Sequence, residues 1–502
     1  MFNILETLKT SLTLNKKFSD AVRFGYTPIS KEQYKKYNAA RPDGAKPVFC
    51  YLPYNSLTFS FSGKVYVCGY NRDIVLGEYP RQTIDQIWNS EHARALRKHM
   101  FYNDLGYGCQ HCKFFFDKGK FSNLRPLVFD KYYGNTDAKF PRVFEFELNN
   151  TCNLECQMCH GEVSSSIRKN RDKLPPIPSP YDEAFVEQLS GYIPHLKEAK
   201  FYGGEPFLIP IYYKIWEKVK ALNPGLEMFV ITNGTNWNEK IRELVSELNF
   251  DLAVSIDAFE KEKLERIRKN VVYEELLENI RRFSRICNDK GKHLSLSFTM
   301  QKDNWEQLPL IIGLCNELNA FIYVSYLERP VRFSIADLPK QDLQKIRDYM
   351  EGVSLPRHTA KERHNFKCFE DFKTYLERYI NNEEELKYAD YEFNREKLKP
   401  KEKHTPKEPA RASAPEWRTF IERAYAQNPE LSAVLPQEAF FNKTENVLNG
   451  FPESDLQILR GGMLQTDIEV VVREVADTRE DLLKEACRIS LKEHAAANDA
   501  TA

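Results

Sequence analysis

Seven of the eleven cysteines in this 502-residue chain fall into two groups, and the tighter one, Cys152, Cys156 and Cys159, is spaced C-x3-C-x2-C. Thiolates so spaced can share a metal centre, and an iron–sulfur cubane usually takes four of them. Three leave one iron open to a ligand that is not protein. The triple follows the alternating run Phe144 to Leu148, which puts it on a loop at the carboxyl end of an expected strand, where barrel enzymes keep their chemistry. On the triple alone, a zinc site with His160 as fourth ligand and a set of buried structural thiols also stand open.

The second group is Cys50, Cys68, Cys109 and Cys112. Gly63 lies between the first two in the pattern C-x12-G-x4-C, and the strand-like Leu57–Phe61 and Lys64–Val67 flank a Ser62-Gly63 turn. Helical spacing follows over Thr83–Asn89 and Glu91–Met100, before Cys109-Gln110-His111-Cys112 supplies the last two thiols. Four thiolates satisfy either a closed zinc site or a four-iron cluster, and ligand chemistry does not separate the two.

These thiols need elements to hold them. From Arg142 onward apolar strands alternate with amphipathic helices, the signature of a parallel α/β sheet or barrel. Strands are expected near 143–148, 199–202, 227–232, 251–256, 294–300 and 321–326, with helices near 181–193, 210–222, 237–248, 272–289 and 305–318. Six strands suggest a partial (β/α)6 barrel of the TIM type. At the strand ends lie Gly203-Gly204-Glu205-Pro206, then Thr232-Asn233-Gly234, then Ser255-Ile256-Asp257. Glycines let a backbone approach a ligand, a carboxylate accepts from an ammonium group, and Ser255 and Asp257 share a face by alternation. Gln301 and Asn304, after the fifth strand, are weaker candidates for a ribose or substrate contact.

The C-x3-C-x2-C triple with Gly-Gly-Glu-Pro downstream resembles the radical S-adenosylmethionine (radical SAM) enzymes. The resemblance implies a [4Fe-4S] cluster on Cys152, Cys156 and Cys159, with the open iron bound by the methionine moiety of S-adenosylmethionine. It implies reductive cleavage to a 5′-deoxyadenosyl radical that takes hydrogen from a substrate. Gly203, Gly204, Glu205 and Pro206 then match the segment that binds the methionine amino group. Asn233, Ser255 and Asp257 fall to ribose or carboxylate contacts, and Arg268 resembles an arginine that holds the carboxylate. Met158 departs from the pattern, since an aromatic residue usually precedes the third cysteine, although a thioether also packs on adenine. The hairpin cysteines, the Ile87-Trp88-Asn89-Ser90 helix and the late C-x2-C look like the auxiliary-cluster extension called SPASM, or twitch in its shorter form, which implies an auxiliary [4Fe-4S] cluster on Cys50, Cys68, Cys109 and Cys112. In most relatives that module follows the barrel; here it precedes it.

Three domains are expected: an auxiliary-cluster domain over 1–140, the partial barrel over 141–335, and a charged linker with helices over 336–502. In the last, Glu383–Glu385 and Lys397–Lys407 read as linker, and Pro415–Lys443 and Asp467–Glu493 as helices before an alanine-rich tail. Cys368 beside His364 is a possible extra ligand, and Cys287, Cys315 and Cys487 read as core thiols. Lys plus Arg balance Asp plus Glu at 72 each, so no net field draws nucleic acid or an anionic membrane. The absence of a signal-type start or a long apolar run makes a cytoplasmic chain the expectation. The substrate expected is a peptide or protein, with a sugar or other small metabolite as the alternative, and the reductant a flavodoxin or ferredoxin. A zinc-stabilised binding protein is the rival from outside enzymology.

Overall fold

The computed structural model describes residues 21, 24–121, 124–381, 414–427, 431–449, 451–464, 472 and 475. It divides into two units, 1–399 and 400–502.

The first unit is organised on one nine-stranded sheet. Its strands are β1 (Ser56–Ser60), β2 (Lys64–Tyr66), β3 (Gly77–Glu78), β4 (Val143–Glu147), β5 (Glu198–Phe201), β6 (Glu227–Thr232), β7 (Phe250–Ser255), β8 (Leu294–Met300) and β9 (Phe321–Tyr326), in spatial order 3-2-1-4-5-6-7-8-9. From β4 to β9 the neighbours are parallel, joined by helical crossovers, as the alternation of strands and helices predicts.

The amino-terminal hairpin does not stand apart from this barrel. β1 lies parallel to β4 with Ser56 opposite Val143 and Thr58 opposite Glu145, so the parallel run is seven strands long rather than six. The cause is visible in the side chains. Phe59 packs edge-on to Phe144 at 5.2 Å and against Phe185 at 5.3 Å, completing an aromatic layer that would otherwise end at the open edge of β4. Sheet hydrogen bonding therefore crosses the position near 140 at which composition suggests a boundary.

The opposite edge is covered as well. The helix Ala360–Ile380 lies along β9; its buried Asn365 accepts from the Ile322 backbone N–H at 2.8 Å and donates to the Ala320 carbonyl at 3.0 Å. Tyr375 stacks on Tyr326 at 4.0 Å. Replacing Asn365 by leucine leaves two backbone groups without partners, and a loss of about 1–3 kcal/mol in denaturant unfolding is expected.

Three further stretches differ from expectation. The crossover from β7 to β8 holds two helices, Lys261–Ile267 and Tyr273–Asp289, of which only the second is legible as a separate run. Lys340–Glu351 and Ala360–Ile380 are helices of the first unit, although they lie in the segment expected to be linker and extension. The expected helix over Pro415–Lys443 is interrupted: Ala414–Gln427, Leu431–Val434 and Gln437–Leu448 are separate, the last starting after Pro436. Trp417, Ile421, Tyr425, Phe440 and Phe441 form that unit's own core. Glu383–Glu385, Lys397–Lys407, the tail and all of Asp467–Glu493 except residues 472 and 475 lie outside the described residues. No helix among the described residues is long and apolar enough to cross a membrane.

Candidate active site

Cys152, Cys156 and Cys159 lie on the loop that leaves the carboxyl end of β4. Backbone hydrogen bonds shape this loop. Glu155 N–H donates to Lys269 O at 3.0 Å and Gln157 N–H to Ile267 O at 2.9 Å, so residues 155–157 run beside 267–269. That pairing sets Arg268 opposite Cys156, and its Nη1 lies 3.9 Å from the Cys156 sulfur. Ser166 donates its hydroxyl to the Cys152 carbonyl at 2.8 Å, and Ser164 donates to Leu154 O at 2.8 Å while capping the next helix.

All three thiols are free. Cys156 and Cys159 hydrogen-bond to each other, which raises the Cys156 thiol and lowers that of Cys159, while Arg268 draws both toward thiolate. Burial pushes Cys152 up to about 11. Thiols held this way ionise when a cationic centre compensates them, which suits a metal cluster. His160 is exposed, and among the described residues no three His, Cys, Asp or Glu side chains converge on a single ion. Each thiolate of a cubane binds its own iron, so the three need not meet at one point.

The neighbouring motifs reach this loop in ways the sequence does not reveal. Gly203 has φ +104°, and a Cβ there would meet the Asn149 carbonyl at 2.5 Å; one on Gly204 would meet Thr151 O at 2.2 Å. The two glycines thus admit the cluster loop, whose backbone accepts from Gly204 N–H at 3.1 Å and Glu205 N–H at 2.7 Å. Gly204→Ala is expected to destabilise the chain by more than about 2 kcal/mol in denaturant unfolding and to reduce iron loading. Glu205 is wholly buried, accepting from Asn233 N–H at 2.6 Å, the Thr232 hydroxyl at 2.7 Å and Phe207 N–H at 3.1 Å. Burial pushes its carboxyl up to about 7, and those donors pull the other way. Its carboxylate fastens the end of β6, with Pro206 opening the short 3-10 turn that follows.

Asn233 donates to Asn153 Oδ1 at 2.9 Å and lies 3.9 Å from the Cys152 sulfur. Asp257, expected to share a face with Ser255 for ribose or carboxylate contacts, is buried just beyond β7, ion-paired with Arg268 at 2.8 Å and accepting from Thr299 N–H at 2.7 Å. Ser255 and Met158 are half-buried. Gln301 and Asn304 are fully buried: Gln301 accepts from Gln157 at 2.8 Å, and Asn304 donates to Asp257 O at 2.9 Å. Both fasten loops rather than face a ligand. Cys287 and Cys315 are core thiols, and Cys368 lies 3.7 Å from His364 on the helix covering β9, away from both groups.

The second group also assembles. Cys50, Cys68, Cys109 and Cys112 line one small cavity with Phe49, Val67, Met100 and Arg125. Asn71 donates toward the Cys109 sulfur at 3.5 Å. Burial pushes Cys109 up to about 12 and raises the other three as well. Four unbridged thiols around one apolar hollow fit a metal centre that would supply the missing positive charge.

Residues 146–315 match the model of the radical SAM superfamily, and residues 50–113 match that of SPASM, an iron–sulfur cluster-binding domain. The chain carries a radical SAM domain with an SPASM domain ahead of it. The radical SAM domain brings a [4Fe-4S] cluster and S-adenosylmethionine as cofactors, and the SPASM domain an auxiliary cluster, which resolves the choice that four thiolates leave open. Among curated proteins, a UPF0026 protein of Helicobacter pylori is 29% identical over 166 residues, covering 32% of this chain and 53% of the relative. The sporulation killing factor maturation protein SkfB of Bacillus subtilis is 22% identical over 192 residues, 38% of this chain and 43% of that one. Pre-heme d1 synthase of Dinoroseobacter shibae is 26% identical over 196 residues, 38% and 45% respectively. The chain thus spans about half the length of the curated relatives it matches. Of solved structures, Streptococcus suis SuiB bound to S-adenosylmethionine aligns at 14% identity over 49% of this chain and 59% of that one, with a TM-score of 0.32.

Sequence reasoning missed Arg125. It lines the cavity of the four cysteines and ion-pairs with Glu145 on the concave face of β4, where Lys200 also meets Glu145 at 3.1 Å. Arg72 pairs with Glu147 two residues on, at 2.8 Å. The signal was present in β4 itself, since Glu145 and Glu147 alternate with Phe144 and Phe146 and must face something polar.

Proposed function

We propose that this chain is a radical SAM enzyme that reductively cleaves S-adenosylmethionine and takes a hydrogen atom from a peptide or protein. The observation that carries the reading is the placement of Cys152, Cys156 and Cys159 with Arg268 at the carboxyl end of a parallel sheet, within the segment matching the radical SAM superfamily. When bound, the cofactors supply an electron and a carbon radical that abstracts hydrogen. The chain's own part is to hold and shield them. Cys152, Cys156 and Cys159 are the ligands. Arg268, steadied by Asp257, stabilises the thiolates electrostatically and meets the methionine carboxylate. Met158 would pack on adenine, and Ser255 and Asn233 would hold the ribose. Gly203, Gly204, Glu205 and Pro206 keep the cysteine loop in register beside the place that the methionine amino group would take. Cys50, Cys68, Cys109 and Cys112 hold the auxiliary [4Fe-4S] cluster, and a flavodoxin or ferredoxin is the electron donor.

A peptide substrate is supported by the kinship with SkfB, a maturation protein. The kinship with pre-heme d1 synthase favours the second reading, a small metabolite. Anaerobic incubation of the iron-loaded chain with S-adenosylmethionine and dithionite is expected to yield 5′-deoxyadenosine, and more of it when short peptides are added, with the peptide losing hydrogen or gaining a crosslink. No 5′-deoxyadenosine under any condition contradicts the enzyme. Stimulation by small metabolites and not by peptides transfers the reading to the second class.

A further inference from the structure

From the cavity of Cys50, Cys68, Cys109 and Cys112 a charge chain leads to β4 that neither cofactor role uses. Arg125 lines the auxiliary cavity and pairs with Glu145, whose carboxylate also takes Lys200 at 3.1 Å and the Thr58 hydroxyl at 3.3 Å. Glu145 is nearly inaccessible, with 2% of its side chain exposed. Arg125 lies over the rings of Tyr70, at 5.5 Å, and Phe129, at 5.6 Å, and Tyr70 stacks on His111 of the Cys109–Cys112 turn at 4.4 Å. Its Nε is buried without a hydrogen-bond partner. Among the described residues that line the cavity, Arg125 alone carries a fixed charge.

We propose that Arg125 sets the reduction potential of the auxiliary centre and that Glu145, on the barrel face of β4, opposes it. The proposal rests on the auxiliary-cluster reading above. Reducing an iron–sulfur cluster adds negative charge to a site already bound by thiolates, so a fixed cation against it favours the reduced state and an anion behind that cation weakens the effect. Through Glu145 the centre also senses the barrel interior, where β4 leads directly to the loop of Cys152.

The test uses the full chain with Cys152, Cys156 and Cys159 replaced by alanine, so that one cluster is titrated. Its midpoint potential is read by electron paramagnetic resonance during mediated dithionite titration. Arg125→Gln is expected to move the midpoint negative by about 59 mV or more, tenfold in the one-electron equilibrium. Arg125→Lys should stay near the parent, and Glu145→Gln should move it positive. An unchanged midpoint in Arg125→Gln, or an equal shift in Arg125→Lys, overturns the proposal. Should Arg125→Gln lose the cluster, Glu145→Gln decides alone, and no positive shift there overturns it. A triple-alanine parent that binds no iron removes the auxiliary reading itself, and this role of Arg125 with it.

Discussion

Replacing Cys152, Cys156 and Cys159 together by alanine is expected to reduce 5′-deoxyadenosine formation to background and to remove one of two clusters from the iron and sulfide count. On the proposed assignment each of the three thiols ligates one iron, and the polar groups nearby are of the wrong kind to take its place. Arg268 offers only N–H donors to sulfur, and Asn233 turns its Nδ2 there while its Oδ1 accepts from the Thr235 backbone N–H and hydroxyl. The fold should survive the change. The loop is held by backbone bonds from residues 155 and 157 to 269 and 267, and by serine hydroxyls on the Cys152 carbonyl, none of which involves sulfur. Cys152 and Cys159 are half-buried and Cys156 buried, so removing the three sulfurs costs packing without breaking an element. Circular dichroism and the melting profile should therefore match the parent loaded with the auxiliary cluster alone. Product persisting at parental levels would place the cleavage elsewhere in the chain and remove the site described here.

The contrast between what was legible in the sequence and what was not follows the range of the interactions. β6, β8 and β9 fall on the stretches 227–232, 294–300 and 321–326 expected from apolar alternation and turn residues, because both signals are local. The hairpin of β1 and β2 was equally local, with Gly63 at φ +86° in its turn. Its docking beside β4 was not, since parallel pairing of segments about ninety residues apart leaves no mark in either one. The same holds for Arg268. Its type and resemblance pointed to the site, but the pairing of 155–157 with 267–269 that brings it to Cys156 depends on a helix that sequence spacing did not separate. Arg125 opens the run Arg125–Tyr132, a 3-10 stretch with no clear apolar stripe, and so carried no signal of its own. The helices at 340–351 and 360–380 did: Leu343, Ile346 and Met350, then Phe369, Phe372 and Leu376, repeat at helical spacing and are buried. Their many charges obscured it. The Gly203-Gly204 pair is a subtler case, for glycines there suggest the close approach of a ligand, and what lies against both Cα atoms is the backbone of residues 149–151.

Replacing Cys109 and Cys112 by alanine should separate the two centres: uncoupled cleavage of S-adenosylmethionine persists while turnover of the true substrate falls to background, and the iron count drops by one cluster. This pair is the informative one because it can be changed with least harm to the core. Cys50 and Cys68 are buried beside Phe49 and Val67, so their loss would confound ligation with packing. Cys109 and Cys112 are half-buried at the start of the helix Gln110–Asp117, which is anchored by Phe116 against Phe49 at 5.5 Å and Tyr37 at 6.0 Å and not by its sulfurs. The sheet gives a second reason to expect separation. β1 remains paired with β4 whatever happens at the far end of that helix, so the loop of Cys152 keeps its support. If both activities vanish with the melting profile unchanged, electrons reach the first site through the auxiliary centre. If turnover is intact, the four cysteines are a structural staple and the chemistry belongs to the barrel alone.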